Sequence, residues 1–380
     1  FTPTRFSVFL LPPANLRNTM FVTTLSHLCN LNVTKATDFC IVKPSIINQM
    51  RMKILPVVIG IMMLTAVPCA AQESTDFKPS GKFFGLLFAN YHTTFSGGDN
   101  NSAFEVTRSY FGYDFSFSRE ISSRVMYDGT TEVINGKTIY SGYLRNAYLQ
   151  YENGRLLVRG GLIGTEQISM MEKIWGYRYV TKPPIDYSGM IQAADLGVMT
   201  VVQAGEFLDL DLSVTNGRGF KDIAANGTYR LSAGFTLTPA QNMLVRGFYD
   251  MMGPSGRMQR TASITAAWMG PKFNAGAEYF RQDNASMTEG RNYSGISIFT
   301  RVPLAEKVKF FARYDRIASV TMDGAEDPWN LSRDGSYIYA GIDFSPVKNV
   351  RISPNYNSYI PPAENSDNVG TIGLNIEAKF

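Results

Sequence analysis

Catalysis needs particular side chains at particular spacings, and this chain is short of them. Acyl-transfer triads and multi-histidine metal sites are built on imidazoles, yet the 380 residues hold two, His27 and His92. These lie in segments of different character, so His92 is expected to stand alone in a strand. The three cysteines, Cys29, Cys40 and Cys69, all precede residue 72. Carboxylates are plentiful, but they are spread so evenly that no acid/base pair stands out. Gly217-Arg218-Gly219 reads as a loop, because no strand-to-helix pattern follows that would aim backbone amides at a phosphate. An enzyme, a metal centre and a bound cofactor are therefore not expected.

Charge at every second residue is a different kind of signal. Arg108, Arg124, Arg159, Arg230 and Arg246 fall on the polar parity of alternating segments, as do Asp114, Asp128, Asp211, Asp250, Glu278 and Asp315. Both signs on one face suit a water-filled interior, where they stay hydrated and set a transverse field. The alternative is that they pair across neighbouring strands.

The elements that would position these charges are strands. At the end of the chain, Ile372, Leu374, Ile376, Ala378 and Phe380 alternate with Thr371, Gly373, Asn375, Glu377 and Lys379. That is the period of two of a β-strand with one apolar and one polar face. Sixteen such segments can be drawn from residue 82 onward, starting with 82–95, 103–119 and 121–129 and ending with 336–345, 348–357 and 369–380. Within 142–152, Arg145 falls on the face of Ala147 and Leu149, so a bulge is expected there. No sustained helical period is read anywhere after residue 82. Connections after even-numbered strands are short, such as Asn153-Gly154 and Gly270-Pro271. Those after odd-numbered strands are mostly longer, such as 130–141, 216–227 and 317–335. Short turns at one end and long loops at the other predict an all-β, antiparallel, up-and-down barrel.

Strands of about 10 residues suit a tilted membrane crossing. Tyr127, Tyr151, Tyr249, Trp268, Tyr279, Tyr314 and Phe344 lie on the apolar parity near strand ends, as interfacial girdles do. A soluble sandwich would instead bury its large aromatics mid-strand and would have edges to protect. A barrel of sixteen strands is too wide for side chains to fill.

Ahead of the barrel, Met50-Arg51-Met52-Lys53, an apolar run from Ile54 to Val67 and Pro68-Cys69-Ala70-Ala71 follow the grammar of a secretory signal peptide. Residues 50–71 are read as that signal, 1–49 as upstream translation or a disordered extension, and 72–380 as the barrel. Six of the 36 Lys+Arg and one of the 32 Asp+Glu precede residue 72, which leaves 30 against 31. No nucleic-acid footprint survives in that balance.

The longest interruption runs from Thr165 to Gln192, after the fifth strand. It carries Glu166, Glu172, Lys173, Arg178, Lys182 and Asp186, with Trp175, Tyr177, Tyr179 and Tyr187 among them. A loop this long is usually functional or disordered, and its aromatics argue against disorder.

Taken together, the terminal Phe380 and the alternation over 82–380 resemble the Gram-negative outer-membrane porins. The pairing of Asp195-Leu196-Gly197-Val198 with Asn216-Gly217-Arg218-Gly219 is similar to the phosphate-selective porin O and P type. The porin resemblance implies a third outer loop folded into the barrel, so 165–192 is expected to form the constriction. Its charges would face Arg108, Arg124, Arg159, Arg230 and Arg246, and Trp175, Tyr177 and Tyr179 would anchor it. It also implies that Phe380 is an assembly signal read by the barrel-assembly machinery. Outer-membrane lipid, small hydrophilic solutes and two further copies in a homotrimer are the implied partners. A phosphate channel would carry a cationic ladder at its constriction, whereas this segment mixes three cations with three anions. The expected function is passive diffusion of small hydrophilic solutes or ions. The alternatives are a channel specific for an anion or oligosaccharide, and a plugged structural or adhesive barrel.

Overall fold

The computed structural model describes residues 77–222, 227–254, 256–363 and 366–380. The segments read above as signal peptide and upstream extension lie outside the described residues.

Alternating residues give alternating faces, and here the alternation is closed on itself. Sixteen strands run in chain order: β1 (Ser80–Ser96), β2 (Asp99–Ser116), β3 (Ile121–Ile134), β4 (Lys137–Asn153), β5 (Leu156–Gly164), β6 (Ala194–Gln203), β7 (Leu208–Thr215) and β8 (Arg230–Leu237). The second half comprises β9 (Met243–Met252), β10 (Gln259–Met269), β11 (Asn274–Asp283), β12 (Tyr293–Ala305), β13 (Val308–Ser319), β14 (Gly335–Phe344), β15 (Val350–Ile360) and β16 (Val369–Lys379). Each pairs antiparallel with its sequence neighbours, and β16 returns to β1, so the sheet has no edge. Closure runs from Leu86 opposite Lys379 to Phe95 opposite Gly370. Phe380 completes it, exchanging backbone bonds of 2.7 and 3.0 Å with Gly85.

Parity decides which residues meet which medium. On β10, Ile264 and Trp268 are exposed, while Thr265 is fully buried. On β7, Leu210 and Leu212 are exposed and Asp211 is buried. An apolar exterior around a polar interior inverts a soluble protein and suits a hydrocarbon surround. The expected girdle residues Tyr127, Tyr249, Trp268, Tyr279, Tyr314 and Phe344 are all exposed on that exterior.

The expected bulge falls at Arg145. Met126 faces Asn146 but Tyr127 faces Leu144, so Arg145 is the extra residue of β4. Without the bulge, Arg145 would take the apolar face, where an arginine at mid-membrane costs about 2–4 kcal/mol. One expected loop is absent. Segment 130–141 continues the β3–β4 ladder up to Ile134 opposite Lys137, turning on Asn135 (φ 52°) and Gly136 (φ 75°). Asn-Gly is the pair that a two-residue hairpin of matching twist requires, and it makes a long loop unnecessary.

Candidate functional site

The charged residues divide between two halves of the polar face. On β2 to β5, Arg108 holds Asp128 at 2.5 Å. Arg124 forks onto Asp114 at 2.6 and 2.7 Å and lies 4.8 Å from the Phe84 ring centroid. Arg159 donates to Gln150 Oε1 at 2.6 Å and lies over Tyr148 at 5.4 Å. Arg145 donates to the Tyr110 hydroxyl, its guanidinium 4.8 Å from that ring.

The other half is occupied. Between β5 and β6 the chain forms α1 (Glu166–Trp175) and a single turn, α2 (Pro184–Tyr187). The helix α1 was not expected, although its signal is present. Gln167, Ile168, Met171, Ile174 and Trp175 are buried at helical spacing, with Glu166 in the first turn and Lys173 in the last, as the helix dipole favours. Four apolar positions on one face over ten residues are easily lost beside sixteen strands of period two. Gly176 ends α1 in the left-handed region (φ 78°), and Pro183-Pro184 starts α2 with the φ a first turn needs. The base of the segment is tied by Thr165, whose N–H donates to Ala193 O at 3.0 Å and whose hydroxyl donates to Gln192 O at 2.5 Å.

Every long bond from this segment ends on the polar face of β9 to β16. Gln167 accepts from Arg246 Nε at 2.7 Å and donates to Ser263 at 2.9 Å. Gln282 donates to Met190 O at 2.8 Å, and Arg313 to Lys182 O at 2.9 Å. Arg351 donates to Gly176 O at 2.8 Å, and Asn375 to Tyr179 O at 3.0 Å. The Tyr179 hydroxyl donates to Asp343 at 2.8 Å. Between these polar ties lie two apolar clusters. Trp175, Tyr177 and Tyr179 pack with Phe299 and Phe311, Tyr177 stacking on Phe311 at 4.2 Å between centroids. Ile168, Ile185, Met190 and Ile191 pack with Phe248 and Phe280. Each large side chain so buried contributes about 1.5–3 kcal/mol.

The residues named from sequence therefore occupy different positions. Arg246 is 1 % exposed and is consumed by Asp211, Thr236 and Gln167. Arg230 is buried on Asp250 at 2.5 Å. Arg108, Arg124 and Arg159 line the opposite half. Within the segment, Arg178 pairs with Glu172 at 2.8 Å and Lys182 lies 3.5 Å from the buried Asp186, while Lys173 is exposed. Burial, together with the charge of Asp211, raises the Glu166 carboxyl above its usual range. Burial lowers the Lys182 ammonium; Asp186 opposes this, and Arg178 and Arg108 add to it.

Parity reasoning passed over Arg145, which the bulge alone brings inward. Arg313 and Arg351 share the polar face, and their grip on the 165–192 backbone has no local signal in the sequence. The two short motifs prove to be one unit, because Asp195 accepts the Gly217 N–H at 2.5 Å. Gly217 needs its φ of 81°, and a Cβ there would lie 2.1 Å from Met252 Sδ.

A closed antiparallel barrel of sixteen strands, apolar outside and charged inside, defines the class: a transmembrane barrel of channel-forming width. Solved structures carry the same architecture. OmpF of Salmonella typhi, in complex with daunomycin, aligns with a TM-score of 0.61 at 11 % identity, covering 79 % of this chain and 97 % of that one. The outer-membrane channel DcaP of Acinetobacter baumannii gives 0.58 at 11 % identity over 80 % and 97 %. The anion-selective porin of Comamonas acidovorans gives 0.56 at 8 % identity over 80 % and 100 %. The chain thus has the fold of the Gram-negative outer-membrane porins. No family model matches it, and no curated protein matches its sequence.

Proposed function

We propose that this chain is a porin of a Gram-negative outer membrane: a water-filled channel, not an enzyme, for small hydrophilic solutes. Segment 165–192 is folded inward as its constriction. One observation carries this reading. The segment is bonded to the polar face of β9 to β16 from Arg246 round to Asn375, and among the described residues no hydrogen bond or ion pair joins it to β2 to β5, where Arg108, Arg124, Arg145 and Arg159 lie. Solutes would diffuse through the remaining gap, filtered by its width and by the charges on its two sides. Lipid covers the exterior, and association into trimers is the family-like arrangement. The anion selectivity of the Comamonas protein, which shares the fold, makes a solute-specific channel the second reading.

Deleting residues 170–186 tests the constriction. The wall bonds of Arg313 and Arg351 to the segment are lost, but the β-ladders are untouched. Single-channel conductance of the refolded deletion protein should rise and its solute size limit relax. Unchanged conductance in a correctly inserted barrel would place the filter elsewhere.

A further inference from the structure

We propose that the outside of the wall over β10 to β13 carries a binding site for the phosphorylated headgroup of an outer-leaflet lipid, formed by Arg260, Arg281 and Arg316. The site lies on the lipid-facing exterior and does not depend on what the 165–192 segment does inside.

Parity isolates these residues. In strands with an apolar exterior, charged side chains belong on the polar face, and among the described strand residues they take it with four exceptions: Arg260, Arg281, Asp283 and Arg316. Each arginine stands between two buried neighbours and is itself exposed. Arg260 lies between Gln259 and Thr261, Arg281 between Phe280 and Gln282, and Arg316 between Asp315 and Ile317. The four are not scattered round the barrel. They fall in one sector, at the end from which the long loops leave. Arg260 is opposite Asp283, and Arg281 is opposite Ser294. Arg316 faces Ile296 from the far side of β12. The strands of Arg281 and Arg316 are therefore about 10 Å apart. The outer ends of β2, β3 and β4 present Phe104, Val133 and Tyr140 instead, all strongly exposed and uncharged.

The depth of the cluster follows from its neighbours. Two residues inward on the same face, Tyr279 precedes Arg281 and Tyr314 precedes Arg316, and both rings are exposed members of the girdle. A charge one step outside an aromatic girdle sits at headgroup level, where the cost it would meet at mid-membrane has faded. Three cations against one anion leave positive charge in excess there. Two of the cations are also held in place. The Ser336 hydroxyl accepts from Arg316 Nη1 at 3.1 Å and bonds the Tyr314 hydroxyl at 3.0 Å, and Arg281 donates to Asp283 at 2.8 Å. Planar guanidinium forks fixed in this way match phosphate oxygens. The exposed Ile296 lies between Tyr279 and Tyr314, an apolar bed for the acyl chains below such a phosphate. Cations above and apolar surface beneath suit a phosphate that belongs to a lipid.

The test uses the full barrel refolded in neutral detergent and titrated with bisphosphorylated lipid A, or with the same lipid after removal of its phosphates. Bound lipid is counted by native mass spectrometry. The wild type should bind the phosphorylated lipid saturably and the dephosphorylated one more weakly. Arg260→Gln and Arg316→Gln should each raise the half-saturation concentration roughly fivefold, the usual worth of one basic residue at an anionic lipid surface. Arg119→Gln changes an exposed arginine on the short turn after β2 and should leave it unchanged. If one of the two site variants fails to give heat-modifiable folded protein, the other decides. Equal binding of the two lipids, or an equal loss in Arg119→Gln, overturns the proposal. Excess potassium phosphate should displace no more lipid than potassium chloride of the same ionic strength; full displacement by phosphate alone would assign the site to the free ion and overturn the lipid as its ligand.

Discussion

Arginine does two jobs on the polar face, and its partners separate them. Arg246, Arg313 and Arg351 each hold a carboxylate of the wall and an oxygen of the 165–192 segment. Such a charge is committed, and removing its partner would leave an uncompensated buried ion. Arg108, Arg124, Arg145 and Arg159 instead lie over Tyr110, Phe84 and Tyr148 of the wall itself; Arg108 and Arg124 also pair with Asp128 and Asp114, whereas Arg145 and Arg159 donate to the neutral Tyr110 and Gln150. Lys182 gives this scale a pH signature. Its pKa is drawn below the usual lysine range by burial, against Asp186 and with Arg178 and Arg108. As pH rises, the ammonium is therefore lost while an ordinary lysine would still be charged. Anion preference should decline over that alkaline interval, read from reversal potentials. Lys182→Arg, charged throughout, should abolish the decline; if the decline persists in that variant, another group is responsible.

At the scale of elements, the segment before β6 depends on how closely two strands approach. Gly161 of β5 and Gly197 of β6 face each other, just below the point where the chain leaves for α1. A Cβ on Gly161 would lie 2.3 Å from Ala147 O, and one on Gly197 would lie 2.1 Å from Val214 O. These are backbone atoms, which cannot rotate away. Gly197→Ala should therefore destabilise the β6–β7 pairing by roughly 1–3 kcal/mol, the usual cost of overpacking. The measurement is the temperature at which the folded, heat-modifiable band is lost, which should fall. An unchanged transition would mean that the sheet absorbs the methyl group by a small shift. The same region shows how local rules combine. Asp195 locks the start of β6 to Gly217 after β7, so the turn geometry on one loop fixes the base of the other.

For the whole molecule the decisive event is closure. Sixteen antiparallel strands have two free edges until β16 meets β1, and an open edge in lipid leaves backbone groups without partners. Phe380 stands at that seam. Its backbone bonds Gly85 in both directions, and its ring lies where a Gly85 Cβ would be 2.3 Å away, so glycine and aromatic fit each other on the exterior. Phe380→Asp keeps the backbone but places a charge on the lipid side. The yield of folded, heat-modifiable barrel in outer-membrane fractions should fall several-fold, about the effect of 1–2 kcal/mol. Wild-type yield from that variant would show that the terminal ring is dispensable.

Much of this architecture was legible in the sequence because its rules are local. A period of two depends on adjacent residues only, so the sixteen strands, their parity and the apolar exterior could be read from 82 onward. The bulge followed from one misplaced arginine. The hairpin at Asn135-Gly136 was equally local, its signal being the Asn-Gly pair between Val133-Ile134 and Lys137-Thr138-Ile139-Tyr140. The helix α1 had its apolar spacing on display and was masked by the strands around it. What the tertiary structure alone decided is the fate of each charge. Whether Arg246 is locked under α1 or Arg145 left facing Tyr110 depends on partners far away in the chain, Gln167 for the one and the bulged register for the other. No window of sequence contains both ends of such a contact, and the energy that chooses between them appears only once closure brings the two halves of the wall face to face.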